Sequence, residues 1–253
     1  MNEKADYEQL WSQAWGELQK LGPLTHTNHR LIMKVLRPHL VEGARILDVG
    51  CGNGALLTKL SRKFPTLKLA GLEGSEQAVA CAQESLGNRI IRQDLTNGFS
   101  LGGASFDVVI CSEVLEHLSD YRPALASIAA HTLSGGHVLI TVPHSMHYWS
   151  KADEFAGHYR RFEFQEFRES MRQCALVPLR YFTWGFPIAY FYYQAVTKIE
   201  PARLMCSGES RLRAFAARML YNAMKIDDLF TGKRWHQLIA LARKDSTTAK
   251  RRW

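Results

Sequence analysis

The stretch Ile46-Leu47-Asp48-Val49-Gly50-Cys51-Gly52-Asn53-Gly54 constrains this chain more than any other. A short apolar run ends in three glycines separated by single residues. Glycine lets the backbone turn sharply without a steric penalty and lets a ligand approach the main chain closely. A strand that stops at such a turn and passes into a helix presents unpaired backbone N–H groups to that ligand. The stretch therefore predicts a nucleotide-binding α/β core. It does not choose the cofactor, because Gly50-x-Gly52-x-x-Ala55 also satisfies the loose dinucleotide fingerprint.

Strand and helix patterns alternate after the turn. Ala55–Phe64 reads as a helix, Leu67–Leu72 as a strand, and Ser75–Leu86 as a helix with Ser75 at its N-cap. Arg89–Arg92 and Phe106–Cys111 read as strands. Tyr121–His131 reads as a helix capped by Asp120, and Gly135-Gly136 as the turn into a strand at His137–Val142. Phe164–Cys174 is a predicted helix, Leu176–Trp184 a strand and Arg234–Lys244 the last strand. This order implies a Rossmann-like, seven-stranded, mostly parallel sheet with helices on both faces.

The expected organisation is one domain over residues 1–244. It comprises a helical cap at 1–43, a core at 44–184, a helical insertion or lid at 185–231 and a last strand at 232–244. Within the cap, residues 3–20 and Asn28–Leu40 read as helices on either side of Gly22-Pro23. A basic tail at 245–253 is expected to be disordered.

Composition removes several classes. The chain is 46% hydrophobic and 22% charged, ordinary for a globular protein. Met1–Leu10 is polar and acidic, which predicts no secretory leader. The five cysteines form no CxxC pair, so a zinc site or a disulfide framework is not expected, and a reducing cytoplasm fits. The net charge of +8 sits wholly in residues 203–253, with 12 Lys/Arg against 4 Asp/Glu. Such an end serves nucleic acid, a peripheral membrane contact with anionic lipid, or an acidic substrate; a solvated helix face has the same composition.

Further residues separate the cofactors. Asp48 stands two residues before Gly50, where a carboxylate accepts from an amine or orients the loop. Glu73 ends the second strand, where an acid can take both ribose hydroxyls. ILDVGCGNG, then GLEGS (Gly71–Ser75), RQDL (Arg92–Leu95) and FDVVICSEVLEHL (Phe106–Leu118), resembles the class I S-adenosylmethionine-dependent methyltransferases. More closely, it is similar to the bacterial branch that includes ubiquinone-type O-methyltransferases, strongly over residues 40–145 and weakly outside them. The resemblance implies that Asp48, Gly50, Cys51, Gly52 and Gly54 line the methionine part of the cofactor S-adenosylmethionine. It implies that Glu73, with Gly74 beside it, takes the ribose, that Asp94 and Leu95 flank adenine, and that Cys111 and Ser112 lie under the sulfonium. Arg30 and the Thr25–His29 segment are expected to close over the methionine end. Cys51 reads as a small packing residue and not as a nucleophile.

A second constellation is Glu113-x-x-Glu116-His117, followed by His144, His147 and His158. On a helical turn Glu113 and His117 would stand one above the other. Three readings remain open. A histidine of this group, with His158 foremost, is a general base that takes a proton from a hydroxyl acceptor. Alternatively Glu113, Glu116, His117 and His158 resemble the metal-binding set of small-RNA 2′-O-methyltransferases, two carboxylates and two imidazoles suited to a divalent ion. Or His117 simply packs within its turn, as in most relatives.

Eight of the thirteen residues from Tyr181 to Tyr193 are aromatic, interrupted by Gly185 and Pro187. They suit an acceptor pocket, a membrane surface or ordinary core. The expectation is an enzyme that transfers a methyl group from S-adenosylmethionine to an oxygen or nitrogen of a small-molecule or lipid-like acceptor. The rivals are a metal-dependent RNA 2′-O-methyltransferase and a non-catalytic partner that binds the cofactor.

Overall fold

Gly22-Pro23 opens a helix. In the computed structural model, which describes residues 22–196 and 211–245, Pro23–Leu36 forms α1. Proline suits a first turn because its ring presets φ and the missing N–H has no partner there anyway. The helix thus starts upstream of the expected Asn28. The helix expected at 3–20, residues 197–210 of the insertion and the tail at 246–253 lie outside the described residues.

The core then follows the alternation in the sequence. It comprises β1 (Arg45–Val49), α2 (Ala55–Lys63), β2 (Lys68–Glu73), α3 (Glu76–Leu86), β3 (Ile90–Arg92), β4 (Phe106–Ser112), α4 (Arg122–Ala130) and β5 (Thr132–Pro143). Next come α5 (Lys151–Phe155), α6 (Phe164–Gln173), β6 (Leu176–Trp184), α7 (Ile188–Val196), α8 (Arg211–Ala223) and β7 (Gln237–Lys244). The seven strands lie in the order β3-β2-β1-β4-β5-β7-β6. The first five are parallel, while β7 runs antiparallel between β5 and β6.

Alternation along the strands divides the core. Leu47, Val49, Val109 and Ile140 pack with α4 and α6 on one face. Ile46, Val108, Ile110 and Leu139 pack with α1 and α2 on the other. Both faces are covered, which is why the central strands are continuously apolar. A fully buried leucine such as Leu57 or Leu60 contributes about 1.5–3 kcal/mol.

Several local expectations change. Ser75 does cap α3, accepting from the Ala78 N–H at 3.2 Å. Asp120 does not cap α4: Tyr121 occupies the N-cap position, and the Asp120 carboxylate accepts from the Arg122 N–H at 3.1 Å. The strand expected at His137–Val142 begins at Thr132, because Gly135 takes φ +77° in an irregular stretch of the β4–β5 pair. Glu113 adopts φ +55° before a single 3-10 turn at Leu115–His117, so Glu113 and His117 do not share a helical face. Strand order reverses between β1 and β4, and the carboxyl ends of the strands diverge there to leave a cleft.

Candidate active site

The cleft is a cavity of about 660 Å³. Gly50, Glu73, Gly74, Asp94, Leu95 and Ser112 line one part of it. Glu113, Glu116, His117, Asp153, His158 and Arg161 line another. Trp184, Tyr193, His236 and Gln237 come from the last third of the chain.

The glycine turn is held from two sides. The Gly50 and Cys51 N–H groups donate to the Leu72 carbonyl at 2.8 and 2.9 Å. Gly50 has φ +72°, and a Cβ there would lie 2.3 Å from Val114 Cγ2, so only glycine fits. Glu73, 1% exposed, accepts from the Gly52 N–H through Oε2 at 2.9 Å. Its Oε1 accepts from the Gly74 and Ser75 N–H groups at 2.8 and 2.9 Å. One carboxylate thereby fixes the β1 turn against the start of α3.

Asp48 is buried beneath this turn. Burial, and then the Glu73 charge, push its carboxyl up to about 7. Burial, with the charges of Asp48 and Glu73, also pushes the Cys51 thiol well above its ordinary range. A thiol held in that form is a poor nucleophile, which agrees with a packing role. Asp94 lines the cavity while its carboxylate accepts from the Thr96 N–H at 2.8 Å and the Thr96 hydroxyl at 2.7 Å. Those bonds hold its pKa below the ordinary value.

Several expected residues lie outside the lining. Arg30 does not line the cavity; its guanidinium forks onto both oxygens of Asp228 at 2.6 and 2.8 Å. Cys111 is fully buried in the sheet, and the adjacent Ser112 lines the cavity in its place. The Ser112 hydroxyl sits 2.9 Å from Thr141 Oγ1 and accepts from Asn28 Nδ2 at 3.1 Å. His144 is buried, with Nδ1 2.7 Å from the Trp235 carbonyl, and is not part of the lining. His147 is exposed on the 3-10 turn Met146–Tyr148, also outside the lining. Asp48, Cys51, Gly52 and Gly54 are not in the lining either; Gly54 supplies the left-handed residue that starts α2, with φ +75°.

Glu113, Glu116, His117 and His158 do converge. Glu113 accepts from Thr141 Oγ1 at 2.7 Å and Gln237 Nε2 at 2.6 Å. Glu116 is 0% exposed, and among the described residues neither of its carboxyl oxygens has a hydrogen-bond partner. Burial and the nearby Glu113 hold its pKa well above the carboxylate range. Burial lowers His117 to about 3, leaving it neutral, and its ring hydrogen-bonds the backbone of Ala156. The His117 and His158 rings meet edge to face, 4.7 Å between centroids. One ligand atom each from Glu116, His117 and His158 lies within 4.8 Å of the others.

The partner that orients His158 has no place in the sequence reading. Asp153, 1% exposed, lies 2.9 Å from His158 Nδ1 through Oδ1. It also accepts from Arg161 Nε at 2.9 Å and Nη2 at 3.0 Å. Against the cost of burial, these partners hold Asp153 down to about 2, so it is ionised and His158 carries its proton on Nδ1. Tyr193 of α7 closes the network, its hydroxyl bonded to Arg161 and to Ser150. The signal for Asp153 was Ser150-x-x-Asp153, a capping box, which reads as a helix start and not as a site.

Comparison with known proteins adds three observations. A family model described as a methyltransferase domain matches residues 24–184. A ubiquinone biosynthesis O-methyltransferase from Cronobacter sakazakii is 28% identical over 147 residues, 56% of this chain; the match spans 60% of that relative's length. Two solved structures share the fold. Phosphoethanolamine N-methyltransferase 2 of Haemonchus contortus, in complex with S-adenosylmethionine, has a TM-score of 0.60 at 15% identity, over 96% of this chain and 60% of that one. The N-methyltransferase NodS of Bradyrhizobium japonicum, in complex with S-adenosylhomocysteine, has a TM-score of 0.58 at 17% identity, over 94% and 96%.

Proposed function

Because the chain belongs to the class I S-adenosylmethionine-dependent methyltransferases, we propose that it transfers a methyl group to a hydroxyl, or else an amine, of a small-molecule or lipid-like acceptor beside His158. The observation that carries this reading is the Asp153–His158 pair opening on the same cavity as Gly50 and Glu73. The cavity's 660 Å³ falls within the usual range for small-molecule sites. Gly50 lines the cavity at the turn, where a backbone without a side chain suits the cofactor.

When bound, the cofactor supplies an electrophilic sulfonium methyl. The chain's own residues hold and align. Glu73 and the Gly50–Gly54 turn form the cofactor side, with Asp94 and Leu95 beside the base. Asp153 accepts the His158 Nδ1–H, which leaves Nε2 to take the proton of an acceptor hydroxyl. Arg161 keeps Asp153 ionised, so the histidine keeps this tautomer. Transfer then depends on alignment of donor and acceptor. His158→Ala is expected to slow methyl transfer about a hundredfold or more while S-adenosylhomocysteine still binds. Full activity in this variant would remove the base assignment.

The lipid-like class of acceptor has support in an exposed aromatic face near α7. Phe186 stacks on Trp235 at 4.2 Å and meets Phe191 and Phe230 at 6.3 and 6.2 Å. Leu229, Phe191 and Phe230 are exposed, and Lys233 and Arg234 follow after Thr231 and Gly232. No described helix is long and apolar enough to cross a membrane. Co-sedimentation with vesicles containing anionic lipid, lost in a Phe191→Ser/Leu229→Ser variant, is expected of a surface contact; equal sedimentation of both proteins would oppose it.

One second reading has its own observation. Glu116, buried with both oxygens unpartnered among the described residues, stands with His117 and His158 in a set that suits a divalent cation. Asp153 and the Ala156 backbone would orient the two imidazoles from behind. An RNA 2′-O-methyltransferase built this way requires activity that vanishes with a chelator and returns with Mg²⁺ or Mn²⁺. It also requires RNA binding that weakens steeply with salt. Full activity in chelator returns the site to His158 alone.

A further inference from the structure

The half of the sheet away from Gly50, Glu73 and Asp94 holds a wall that the reading above leaves without a task. Pro143, Gln237 and Trp184 stand in one row across β5, β7 and β6, and all three line the cavity. Residues directly opposite on antiparallel strands share a face, so the Gln237 amide and the Trp184 indole are neighbours. Gly185 lets the wall close. Its φ is +118°, and a Cβ there would lie 2.4 Å from His236 Cε1. The His236 ring therefore packs against bare backbone, and it also stacks on Tyr193 with 5.0 Å between centroids.

Two polar groups of this wall are unsatisfied. Trp184 is 3% exposed, and among the described residues its Nε1–H has no hydrogen-bond partner. A buried donor left in this way is costly, and native folds leave few of them. Here they gather. Among the described residues seven have a buried side-chain N or O atom without a partner, and four of those, Asn28, Glu116, Trp184 and His236, line this one cavity. Gln237 gives Nε2 to Glu113 at 2.6 Å, and among the described residues nothing donates to its Oε1. The wall thus offers an indole N–H and an amide oxygen side by side. A hydroxyl satisfies both with one atom, accepting from Trp184 and donating to Gln237. The wall is also remote from the chemistry. Neighbouring strands stand about 4.8 Å apart, so Trp184 on β6 is rooted about 14 Å across the sheet from Ser112 on β4.

We propose that Trp184, with Gln237, is a specificity-determining residue that recognises a second hydroxyl of the methyl acceptor, remote from the one that is methylated. The proposal rests on the methyltransferase reading and narrows its acceptor class. One hydroxyl meets His158, and the other lies between the Trp184 indole and the Gln237 amide. An acceptor that reaches both is extended and carries a hydroxyl at each end. Trp184 acts on binding and orientation, while His158 keeps the proton transfer. A molecule of the same length with a single hydroxyl leaves the indole N–H and the amide oxygen unpaired, and the site rejects it for that reason.

Calorimetry on the full chain saturated with S-adenosylhomocysteine separates this from a packing role. The probes are biphenyl-4,4′-diol, a rigid rod with a hydroxyl at each end, and 4-phenylphenol, the same rod with one. The natural chain is expected to bind the diol about tenfold more tightly, beyond the roughly twofold that two equivalent ends give by statistics. Trp184→Phe keeps an aromatic ring and removes the N–H, and should bring the two affinities to within about that statistical factor. Gln237→Met should erode the same preference, and it carries the comparison if Trp184→Phe does not fold. Equal losses for both probes in Trp184→Phe, or a preference that persists in both variants, overturn the proposal. So does a natural chain that holds S-adenosylhomocysteine and binds neither probe, or both equally. A chain that does not bind S-adenosylhomocysteine removes the methyltransferase reading itself.

Discussion

Replacing Asp153 by Asn tests the network behind His158 with a change of one atom. The Asp153 carboxylate accepts from His158, twice from Arg161, and from the Ser150 N–H at 2.9 Å and hydroxyl at 3.0 Å. An amide offers one acceptor oxygen, and its NH₂ would face donors. Arg161, with a side chain only 3% exposed, would keep its charge without a counter-charge. Breaking a buried pair in this way costs about 3–5 kcal/mol. Protonation of the natural chain gives an independent figure. Asp153 is held at about 2, below its ordinary 3.8, so its stabilisation is complete above the ordinary value and is lost as pH falls through about 2. The difference corresponds to about 2 kcal/mol. Urea unfolding followed by circular dichroism should therefore show Asp153→Asn less stable by about 3 kcal/mol at pH 7. The gap should narrow between pH 4 and pH 2, as the natural chain loses what the variant already lacks. Methyl transfer should fall with it, because His158 loses the partner that sets its tautomer. Equal urea midpoints at pH 7, or a gap that does not narrow in acid, would refute this account of Asp153.

Two further predictions address the cofactor side. Gly50→Ala forces a side chain into a left-handed φ, at about 1–2 kcal/mol, and against Val114; S-adenosylhomocysteine affinity by calorimetry should drop, and natural affinity would mean the turn is not the cradle. Asp48, raised to about 7 in the folded chain against an ordinary 3.8, opposes folding increasingly as pH rises from about 4 to about 7. A bound sulfonium cation favours its ionised form, so the shift in melting temperature produced by S-adenosylmethionine should grow from pH 6 to pH 8. That growth should flatten in Asp48→Asn; a shift independent of pH in the natural chain would contradict the role of Asp48.

What was legible in the sequence follows from range. Arg45–Val49 and its glycine turn are local: apolar strand and backbone freedom are written in adjacent residues. The same holds for Ser75 at the start of α3, where cap and helix are neighbours. Gly135-Gly136 misled because a glycine pair reads as a turn, whereas here it sits within β5 and lets the strand continue. Arg30 had no local sign of its partner, since Asp228 lies 198 residues away. Asp153 was hidden for a different reason: three residues after a serine, it has the signature of a helix start, and only the fold brings His158 and Arg161 onto it. The family resemblance carried Glu73, Asp94 and Ser112 to the cavity because the strand ends that bear them are fixed by the sheet. Cys111, which the resemblance pairs with Ser112, is buried in the sheet, because successive strand residues alternate faces.

The central claim is that the cavity takes a methyl donor and not a dinucleotide. Calorimetry with S-adenosylhomocysteine and with NAD, on the natural chain and on Glu73→Ala, tests it most directly. The account predicts S-adenosylhomocysteine binding that weakens by about 1–3 kcal/mol in Glu73→Ala, with no measurable NAD binding. Tight NAD binding with none for S-adenosylhomocysteine would contradict it.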